Sequence, residues 1–576
     1  MSGTASKTAT GAVRLVESLE QLGVELVFGL PGVHNLPIWK ALSESNKAPP
    51  SGAADKPPEA PPSGAADKPQ IRLVGVRHEQ TAAYAADGYA RATGKLGVAV
   101  VTTGPGAANT LGATGEAMAA GSPVLVIATD IATGLRREGV YGGTLHETRD
   151  QTAMFAPVTK ATRMLASADE IAGAALEAGR RALAAPTGPV YLGVPTDLLS
   201  QEAAPHTSAP ATGSPAPEAL PLDPALLEQA ADLLAGAERP LIWAGGGALR
   251  AGAGAVVGEL AGKLAAPVLT TYMGRGLLPP AHPCTLSAPV HAPEVGALWD
   301  EADVVLAVGT DFDGTNTQNW KMPAPPALIA VNVDETEASK NYAADVALIG
   351  DARAVLEQLL TRVSERPGLP ELERRLAQID AEVAAWVRGD EPGAADLLEV
   401  VQRTLPPDTV VVVDMCIPGY WLGGYWGVPA PRKLGYPLGW GTLGFGFPAS
   451  LGAALAGAGP TVCVCGDGGF MYACGELATV VQERIPLTIV LVDDGGYGML
   501  RFDQQLVGEE PFGVDLLTPD FAALATSFGL PNVTVEGFGS EFEHALRDSI
   551  ASGKPRMIVV RASLKPPPTT SPRWYR

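Results

Sequence analysis

The sequence predicts an α/β protein built from three doubly wound parallel-sheet domains. Short apolar runs alternate with helical stretches along most of the chain, as expected for parallel strands that helices cover on both faces. With 576 residues, the chain is too long for one hydrophobic core. A stretch rich in Pro, Ala and Ser at 201–222 interrupts the alternation and marks a domain boundary.

We expect the domains to follow this alternation. The first domain spans 1–199, a linker spans 200–222, a central Rossmann-like domain spans 223–366, and a third domain with a C-terminal tail spans 367–576. The predicted strands are, in chain order, 26–28, 98–102, 124–128, 190–194, 241–243, 304–308, 328–332, 410–413, 461–465, 487–492 and 557–560.

Residues 46–70 break the pattern of the first domain. The nonapeptide PPSGAADKP occurs at 49–57 and again at 61–69, without apolar periodicity. We interpret this segment as a duplicated, solvated surface insertion that takes no part in catalysis.

Charge and composition argue against several classes of partner. The 41 basic and 62 acidic residues give a formal net charge of −21, which disfavours nucleic acid and anionic membranes. No apolar run is long enough to span a bilayer or resembles a signal peptide. The five cysteines show no zinc-site spacing. We therefore expect a cytoplasmic protein that binds neither nucleic acid nor membrane.

The most informative segment is GDGGFMYACGELATVVQERIPLTIVLVDDGGYG at 466–498. Asp467 and Asp494 each follow a predicted strand, so their carboxylates can close on one hard cation, and magnesium suits such a site. The backbone N–H groups of Gly468 and Gly469, at a helix start, suit a phosphate. GDG alone is also typical of an ordinary βαβ unit, but the acidic pair at two strand ends favours a site for a metal-bound diphosphate.

Three further motifs are informative in combination. GVRHEQTAAYAADGYARATG at 75–94 places Glu79 at a strand-to-helix junction. Glu79 there is either a site residue or an ordinary surface charge at a helix N-terminus. TTGPGAAN at 102–109 and YPLGWGTLGFGFPASLG at 436–452 are glycine-rich turns, and each is a weak signal alone.

Together, the motifs RHEQ, ADGYARATG, TGPGAAN, GWGTLGFGFPA and GDG with DDGGYGM resemble, in this order, the thiamine-diphosphate enzymes of the acetolactate synthase, pyruvate oxidase and benzoylformate decarboxylase group. The resemblance covers about 10–564. It implies a pyrimidine-binding first domain, a Rossmann-like central domain and a diphosphate-binding third domain. It also implies thiamine diphosphate and Mg²⁺ as cofactors, and a homodimer or homotetramer with the active site at the subunit interface.

The resemblance implies a role for each site residue. Glu79, from the other subunit, hydrogen-bonds the aminopyrimidine ring and favours the imino tautomer that removes the thiazolium proton. Asp467 and Asp494 bind magnesium through their carboxylates, and Gly496 does so through its carbonyl. The predicted cofactor-binding residues are Gly441, Leu443, Gly468, Gly469, Tyr497, Gly498 and Met499.

The implied activity is carboligation of a 2-oxo acid donor, with pyruvate as first candidate, to a carbonyl acceptor, as in acetolactate synthases. A 2-oxo acid decarboxylase and a specialised carboligase with a non-standard acceptor are the alternatives. Decarboxylases of the pyruvate type carry an adjacent pair of histidines in the first domain. None of the seven histidines here is adjacent to another, which favours carboligation.

The sequence departs from the synthase pattern at residues that face the substrate. His146 stands where the synthases have Gln, and it is either a catalytic proton donor or an oriented surface histidine. Asp494 replaces an Asn. Asp503 stands where the synthases carry a Trp, and Arg501 either receives a substrate carboxylate or is solvated.

The sequence gives less support to other cofactors and to other classes of protein. GTDFDGT at 309–315 lacks both arginines of the flavin-dependent relatives, which argues against bound FAD. A nicotinamide oxidoreductase would need an intact GxGxxG after a strand, which is missing. Glu79, Asp467 and an acidic residue at 494 argue against a catalytically inactive subunit.

Overall fold

The computed structural model describes residues 9–45, 70–137, 139–204 and 222–568. The strands within these residues form three sheets, and every strand pairing in them is parallel. The predicted fold class is therefore confirmed. Apart from their outermost residues, the predicted insertion at 46–70 and the predicted linker at 200–222 lie outside the described residues, as does the end of the tail.

The described chain divides into two compact units. The first contains the residues up to 204 except Arg91–Thr93, and the second contains those three and the residues from 222 onward. The first unit holds one sheet, and the second holds the other two. Each sheet lies within one of the three predicted domain ranges, whose boundaries stay predictions.

The first sheet has six strands in the order β2-β1-β3-β4-β6-β5. The strands are β1 (Leu26–Gly29), β2 (Arg72–Gly75), β3 (Gly97–Val101), β4 (Val124–Asp130), β5 (Ala161–Met164) and β6 (Val190–Pro195). The helices are α1 (Gly11–Gln21), α2 (Leu36–Ser45), α3 (Glu79–Thr93), α4 (Pro105–Ala108), α5 (Leu111–Ala119), α6 (Gln151–Phe155) and α7 (Ile171–Leu183). Helix α1 buries Ala12, Leu15, Val16 and Leu19 in the core, a spacing that places them on one helical face.

The central sheet has five strands in the order β11-β10-β9-β7-β8. The strands are β7 (Pro240–Ala244), β8 (Val268–Thr270), β9 (Val304–Val308), β10 (Ala327–Asn332) and β11 (Val346–Ile349). The helices are α8 (Pro224–Gly236), α9 (Gly246–Arg250), α10 (Gly254–Leu264), α11 (Pro293–Glu301), α12 (Glu335–Ala338) and α13 (Ala352–Leu360). This strand order is the doubly wound arrangement expected of a Rossmann-like domain.

The third sheet has six strands in the order β13-β12-β14-β15-β17-β16, which repeats the strand order of the first sheet. The strands are β12 (Val410–Val413), β13 (Leu434–Gly435), β14 (Thr461–Gly466), β15 (Leu487–Asp493), β16 (Asn532–Glu536) and β17 (Arg556–Arg561). The helices are α14 (Leu369–Asp390), α15 (Pro392–Thr404), α16 (Ile417–Tyr425), α17 (Gly446–Leu455), α18 (Asp467–Phe470), α19 (Leu477–Gln482), α20 (Gly498–Leu506), α21 (Phe521–Ser527) and α22 (Ser540–Ser552).

The central and third sheets of the second unit share one hydrophobic core. Trp243 on β7 and Trp421 on α16 both belong to it and are fully buried. Helix α14 contributes Leu376, Ile379 and Val383 from one face. In the part of the chain that the structure describes, no helix has the length and apolar character that a membrane span requires.

The strand order fixes where a ligand can bind. In the first sheet the direction of winding reverses between β1 and β3, and in the third sheet between β12 and β14. In open parallel sheets, ligands bind in the crevice beyond the carboxyl ends of the strands at such a switch point. The loops that follow these four strands are therefore where site residues are expected.

Candidate cofactor site

The Asp467 carboxylate accepts hydrogen bonds from the segments that follow two neighbouring strands of the third sheet, β14 and β15. It follows β14 directly and is 1% exposed. Its Oδ1 accepts a hydrogen bond from the Gly468 N–H at 2.7 Å, and its Oδ2 accepts from the N–H groups of Gly495 and Gly496 at 3.0 and 2.9 Å. Burial raises the pKa of Asp467 to about 7, and nearby Asp494 adds to the effect. The Gly468 N–H predicted to bind phosphate is thus already engaged with Asp467.

The turn that follows Asp494 depends on glycine. Gly495 and Gly496 have φ values of 80° and 149°, which side chains adopt at a cost. A Cβ added to Gly496 would lie 2.2 Å from the Val514 carbonyl oxygen, and one added to Gly498 would lie 2.1 Å from Asp494 Oδ2. The tight turn therefore holds the Asp494 carboxylate against the backbone at the start of α20.

The two carboxylates are suited to a divalent cation that also binds phosphate. Burial raises the pKa of Asp494 as well, against the opposing effect of Arg501, so both carboxylates lack a full counter-charge. Among the described residues, no group of three or more His, Cys, Asp and Glu side chains could hold a metal ion. A cation between Asp467 and Asp494 would therefore complete its shell with backbone oxygen, water and phosphate, as magnesium commonly does.

A cavity of about 210 Å³ opens at the switch point of the third sheet. All ten residues predicted from the second unit line it. They are Gly441, Leu443, Asp467, Gly468, Gly469, Asp494, Gly496, Tyr497, Gly498 and Met499. The structure thus brings together residues from three separate stretches of the chain, while their individual roles stay predictions.

Asp414 is an organising residue that the sequence analysis missed. It follows β12 and is completely buried, and its carboxylate accepts the N–H groups of Met415, Gly444 and Gly446 at 2.7, 2.9 and 3.0 Å. Burial raises its pKa to about 6. These bonds fix the glycine-rich loop that carries Leu443 to the cavity. The signal was an acidic residue directly after the run of four valines at 410–413, as Asp467 follows its own strand.

Arg501 is hydrogen-bonded within the protein, and its predicted role towards a substrate carboxylate stays a prediction. Its Nε forms an ion pair with Asp515 at 2.7 Å, and its terminal nitrogens donate to the carbonyls of Asp494 and Gly495 at 3.4 and 3.3 Å. The guanidinium therefore stabilises the turn beside the acidic pair.

Glu79 is the first residue of α3 and is 8% exposed. Its Oε2 accepts a hydrogen bond from Asn109 Nδ2 at 2.9 Å. A Cβ added to Gly106 would lie 2.7 Å from Thr102 Cγ2 and 3.3 Å from Glu79 Oε1, so this position in α4 needs a small residue. The loops after β2 and β3 together fix this carboxylate in the first compact unit.

His146 also lies in the first unit and has a left-handed backbone, with φ of 69°. Its Nδ1 is buried and has no hydrogen-bond partner among the described residues. Its ring lies edge-to-face with the ring of His34, with 5.3 Å between centroids. The sequence analysis found no adjacent histidines and so missed this pair, because His34 and His146 follow different strands.

Comparison with known proteins identifies the family. Three family models match in order: the N-terminal TPP binding domain of thiamine pyrophosphate enzymes at 59–154, their central domain at 227–359, and their C-terminal TPP binding domain at 416–560. Thiamine pyrophosphate is another name for thiamine diphosphate. The chain belongs to the thiamine-diphosphate-dependent enzymes, as its motifs predicted.

Several relatives match over nearly the whole length. A probable 2-ketoarginine decarboxylase from Pseudomonas aeruginosa is 37% identical over 91% of this chain and 89% of the relative. An acetolactate synthase from Mycobacterium bovis is 32% identical over 92% and 84%. A probable acetolactate synthase large subunit from Methanocaldococcus jannaschii is 30% identical over 96% and 91%.

Proposed function

We propose that this protein is a thiamine-diphosphate- and magnesium-dependent carboligase that acts on a 2-oxo acid, with pyruvate as the first donor to test. The observation that carries the proposal is the convergence of ten predicted residues on one cavity at the switch point of the third sheet. The similarity to acetolactate synthases supports carboligation.

Different residues of the cavity would bind different parts of the cofactor. Asp467, Asp494 and the Gly496 carbonyl would hold magnesium, and the Gly469 N–H would face the diphosphate. Gly441 and Leu443 would contact the aminopyrimidine ring. When bound, thiamine diphosphate supplies the carbanion chemistry that cleaves the bond beside a 2-oxo acid carbonyl. Glu79 would hold a proton at the aminopyrimidine ring nitrogen and so set its tautomer.

The active assembly that we propose is a homodimer or homotetramer in which Glu79 of one subunit meets the cavity of another. Exposed apolar side chains beside both sets of site residues support the proposal that another subunit covers these surfaces. Val33 and Leu145, which adjoin His34 and His146 in sequence, are 79% and 76% exposed. In the second unit, Trp440 next to Gly441 is also exposed. Large exposed apolar side chains near a site are typical of surfaces that a partner covers.

A 2-oxo acid decarboxylase is the second candidate. The contact between His34 and His146 weakens the argument that favoured carboligation, because two histidines are available to one site. The similarity to a probable 2-ketoarginine decarboxylase supports the same candidate and adds a basic 2-oxo acid to the substrates worth testing.

Product analysis separates the candidates. The protein is incubated with thiamine diphosphate, Mg²⁺ and either pyruvate, 2-oxobutyrate or 2-ketoarginine, with and without aldehyde acceptors. Acetolactate with carbon dioxide supports the carboligase, whereas a free aldehyde as sole organic product supports the decarboxylase. Failure to consume any 2-oxo acid, with the Glu79→Gln variant as blank, would contradict both.

We propose further that no flavin is bound. Asp311 in the central domain pairs with Lys340 at 3.0 Å, and the Asp313 carboxylate accepts the N–H groups of Thr315 and Asn316 at 2.8 and 3.0 Å. Asp311 and Thr315 therefore stand where the flavin-dependent relatives have arginines, so no arginine is available there for a pyrophosphate, and the Asp311 carboxylate would repel one. A visible absorption spectrum of the purified protein tests this, and a stoichiometric yellow cofactor would contradict it.

A further inference from the structure

Helix α20 begins beside the acidic pair and runs along the edge of the cofactor cavity. Met499 and Leu500, in its first turn, line this cavity. Asp503 follows them by four and by three residues. On a helix with about 3.6 residues per turn, the direction of Asp503 therefore falls between the directions of Met499 and Leu500. Asp503 lies on the cavity side of α20, one turn beyond the residues that line the cavity.

Side-chain contacts elsewhere on its surface fix the rotation of α20. Arg501, which projects away from the cavity side, pairs through Nε with Asp515 at 2.7 Å. The Gln504 side chain donates to the Phe512 carbonyl at 3.2 Å and accepts the Phe512 N–H at 2.9 Å. Because these contacts attach the helix to the loop that follows it, Asp503 is held on the cavity side.

The charge of Asp503 acts on a second helix that lines the same cavity. Tyr420 on α16 is one of the lining residues. Burial raises the pKa of Tyr420, and the negative charges of Cys416, Asp414 and Asp503 raise it further, because a nearby negative charge disfavours the phenolate. Asp503 is thus close enough to the cavity to change the electrostatics of its wall.

The Asp503 carboxylate has no counter-charge of its own. It is exposed, and it forms no hydrogen bond or ion pair with any residue that the structure describes. Arg501 is the other charged residue of α20, and it is engaged with Asp515. The charged residues in the described lining of the cavity are Asp467 and Asp494. A carboxylate in these surroundings favours a ligand that brings a positive charge.

Asp503 is too far along α20 to be a ligand of the predicted metal. It follows Gly498 by five positions, and a Cβ added to Gly498 would lie 2.1 Å from Asp494 Oδ2. A helix rises about 7–8 Å over five residues, whereas the oxygen ligands of Mg²⁺ lie about 2 Å from the ion. The Asp503 carboxylate is therefore available to the part of a substrate that extends away from the diphosphate.

We propose that Asp503 is a specificity-determining residue, which selects 2-oxo acids whose side chain ends in a cation and above all in a guanidinium. The carboxylate can accept two hydrogen bonds from the planar guanidinium, and the Tyr420 ring offers an aromatic face to stack on. Residues 498–517 contain four acidic residues and one basic residue, so the field at this edge of the cavity attracts cations. The inference rests on the proposed function and names a substrate class for either candidate activity.

A matched pair of substrates tests the effect of charge alone. 2-Ketoarginine and its ureido analogue 2-ketocitrulline are nearly equal in size, but only 2-ketoarginine has a cationic side chain. We expect the wild-type kcat/KM to be about tenfold to a hundredfold higher for 2-ketoarginine. Asp503→Asn should abolish this preference by raising KM for 2-ketoarginine, with kcat/KM for 2-ketocitrulline unchanged. A wild type that uses both acids equally well would overturn the proposal while the proposed function stands.

Glu510→Gln is the matched control for net charge. It removes one negative charge from the exposed loop after α20 and leaves the helix unchanged. The preference for 2-ketoarginine should persist in Glu510→Gln. An equal loss of preference in Glu510→Gln and Asp503→Asn would show a general effect of charge and would overturn the direct contact with Asp503.

Binding without turnover keeps this proposal separate from the proposed function. Calorimetry measures the Kd of each acid for Glu79→Gln protein that is loaded with thiamine diphosphate and Mg²⁺. 2-Ketoarginine should bind about tenfold or more tightly than 2-ketocitrulline, and the additional change Asp503→Asn should make the two Kd values equal. Equal values without that change, or no binding of 2-ketoarginine, would overturn the role of Asp503 even if the wild type is active. A difference in Kd in a protein whose wild type turns over no 2-oxo acid would overturn the proposed function and, with it, the assignment of these acids as substrates.

Discussion

Asp414 shows how one buried side chain can prepare a site without lining it. Its carboxylate accepts three backbone N–H groups, two of them from the glycine-rich loop at 441–446. An asparagine would turn one acceptor into a donor that faces these N–H groups. The loop position therefore depends on an acceptor that does not line the cavity.

We expect Asp414→Asn to lower the free energy of unfolding by about 2–4 kcal/mol, because buried donors lose their acceptor. Affinity for thiamine diphosphate should fall as well, because Leu443 loses its support. Urea unfolding and cofactor titration measure the two effects. Exposed Asp232→Asn is the control, and equal stability of the two variants would refute the role of Asp414.

Gly498 offers a sharper test of the acidic pair. Its added Cβ would lie 2.1 Å from Asp494 Oδ2, so Gly498→Ala must displace that carboxylate. We expect the fold to survive and the Kd for Mg²⁺ with thiamine diphosphate to rise about tenfold to a hundredfold. Gly475→Ala is the matched control, because its Cβ would meet no atom within 4 Å. Wild-type affinity in Gly498→Ala would argue against Asp494 as a ligand.

At the scale of elements, the sequence predicted the central strands and missed strands at the sheet edges. β9 and β12 match their predicted ranges. No range was predicted for β2, β5, β8, β11, β13 and β16, and each of these six strands is at the edge of its sheet. An edge strand has a neighbouring strand on one side only, so more of it is exposed to solvent. β16 has few buried and many exposed residues, and its sequence therefore shows no continuous apolar run.

The sequence analysis likewise predicted some site residues and missed others. Residues in glycine-rich or acidic motifs, such as Asp467 and Glu79, were predictable because each motif is local. His34 and Asp414 were not, because their importance comes from contacts made across different strands. A resemblance between sequences cannot supply such contacts unless the motif includes them.

The loop before α6 allows a pH prediction. The Glu147 carboxylate accepts the N–H groups of Thr144 and Gly142 at 2.9 and 3.3 Å. These bonds, first that from Thr144, lower the pKa of Glu147 below its usual 4.5. A lowered carboxyl pKa means that the ordered loop binds fewer protons than the open loop. The stabilisation is therefore complete above about pH 4.5 and is lost as the pH falls below it.

We expect trypsin cleavage at Arg149 to be slow and, after correction for the activity of trypsin, independent of pH between about pH 6 and 8. Glu147→Gln should speed cleavage throughout that range, because the amide is a weaker acceptor than the carboxylate. Glu177→Gln, an exposed change in the same unit, should leave cleavage unchanged. A Glu147→Gln loop as resistant as the wild type would show that the carboxylate does not order it.

At the scale of the whole molecule, the predicted site residues divide between the two compact units. Glu79 and His146 belong to the first, and the cavity residues belong to the second. If a site takes Glu79 from one subunit and its cavity from another, two inactive variants can together form an intact site.

Mixing Glu79→Gln with Asp467→Asn protein tests this arrangement. Each variant alone should be inactive. After subunit exchange in equal amounts, half of the dimers carry one intact site, so about a quarter of wild-type activity should return. The control mixture pairs Asp467→Asn with Asp494→Ala, which both alter the cavity, and should stay inactive. If the first mixture also stays inactive although exchange is demonstrated, each site would be formed within one subunit.

The shared strand order of the first and third sheets has a consequence for biosynthesis. A nascent chain that encodes one topology twice risks pairing a strand from one copy with the matching strand of the other. The residues of the intervening five-stranded sheet separate the two copies along the chain. The N-terminal copy is therefore synthesised first and can begin to fold before the second copy is complete.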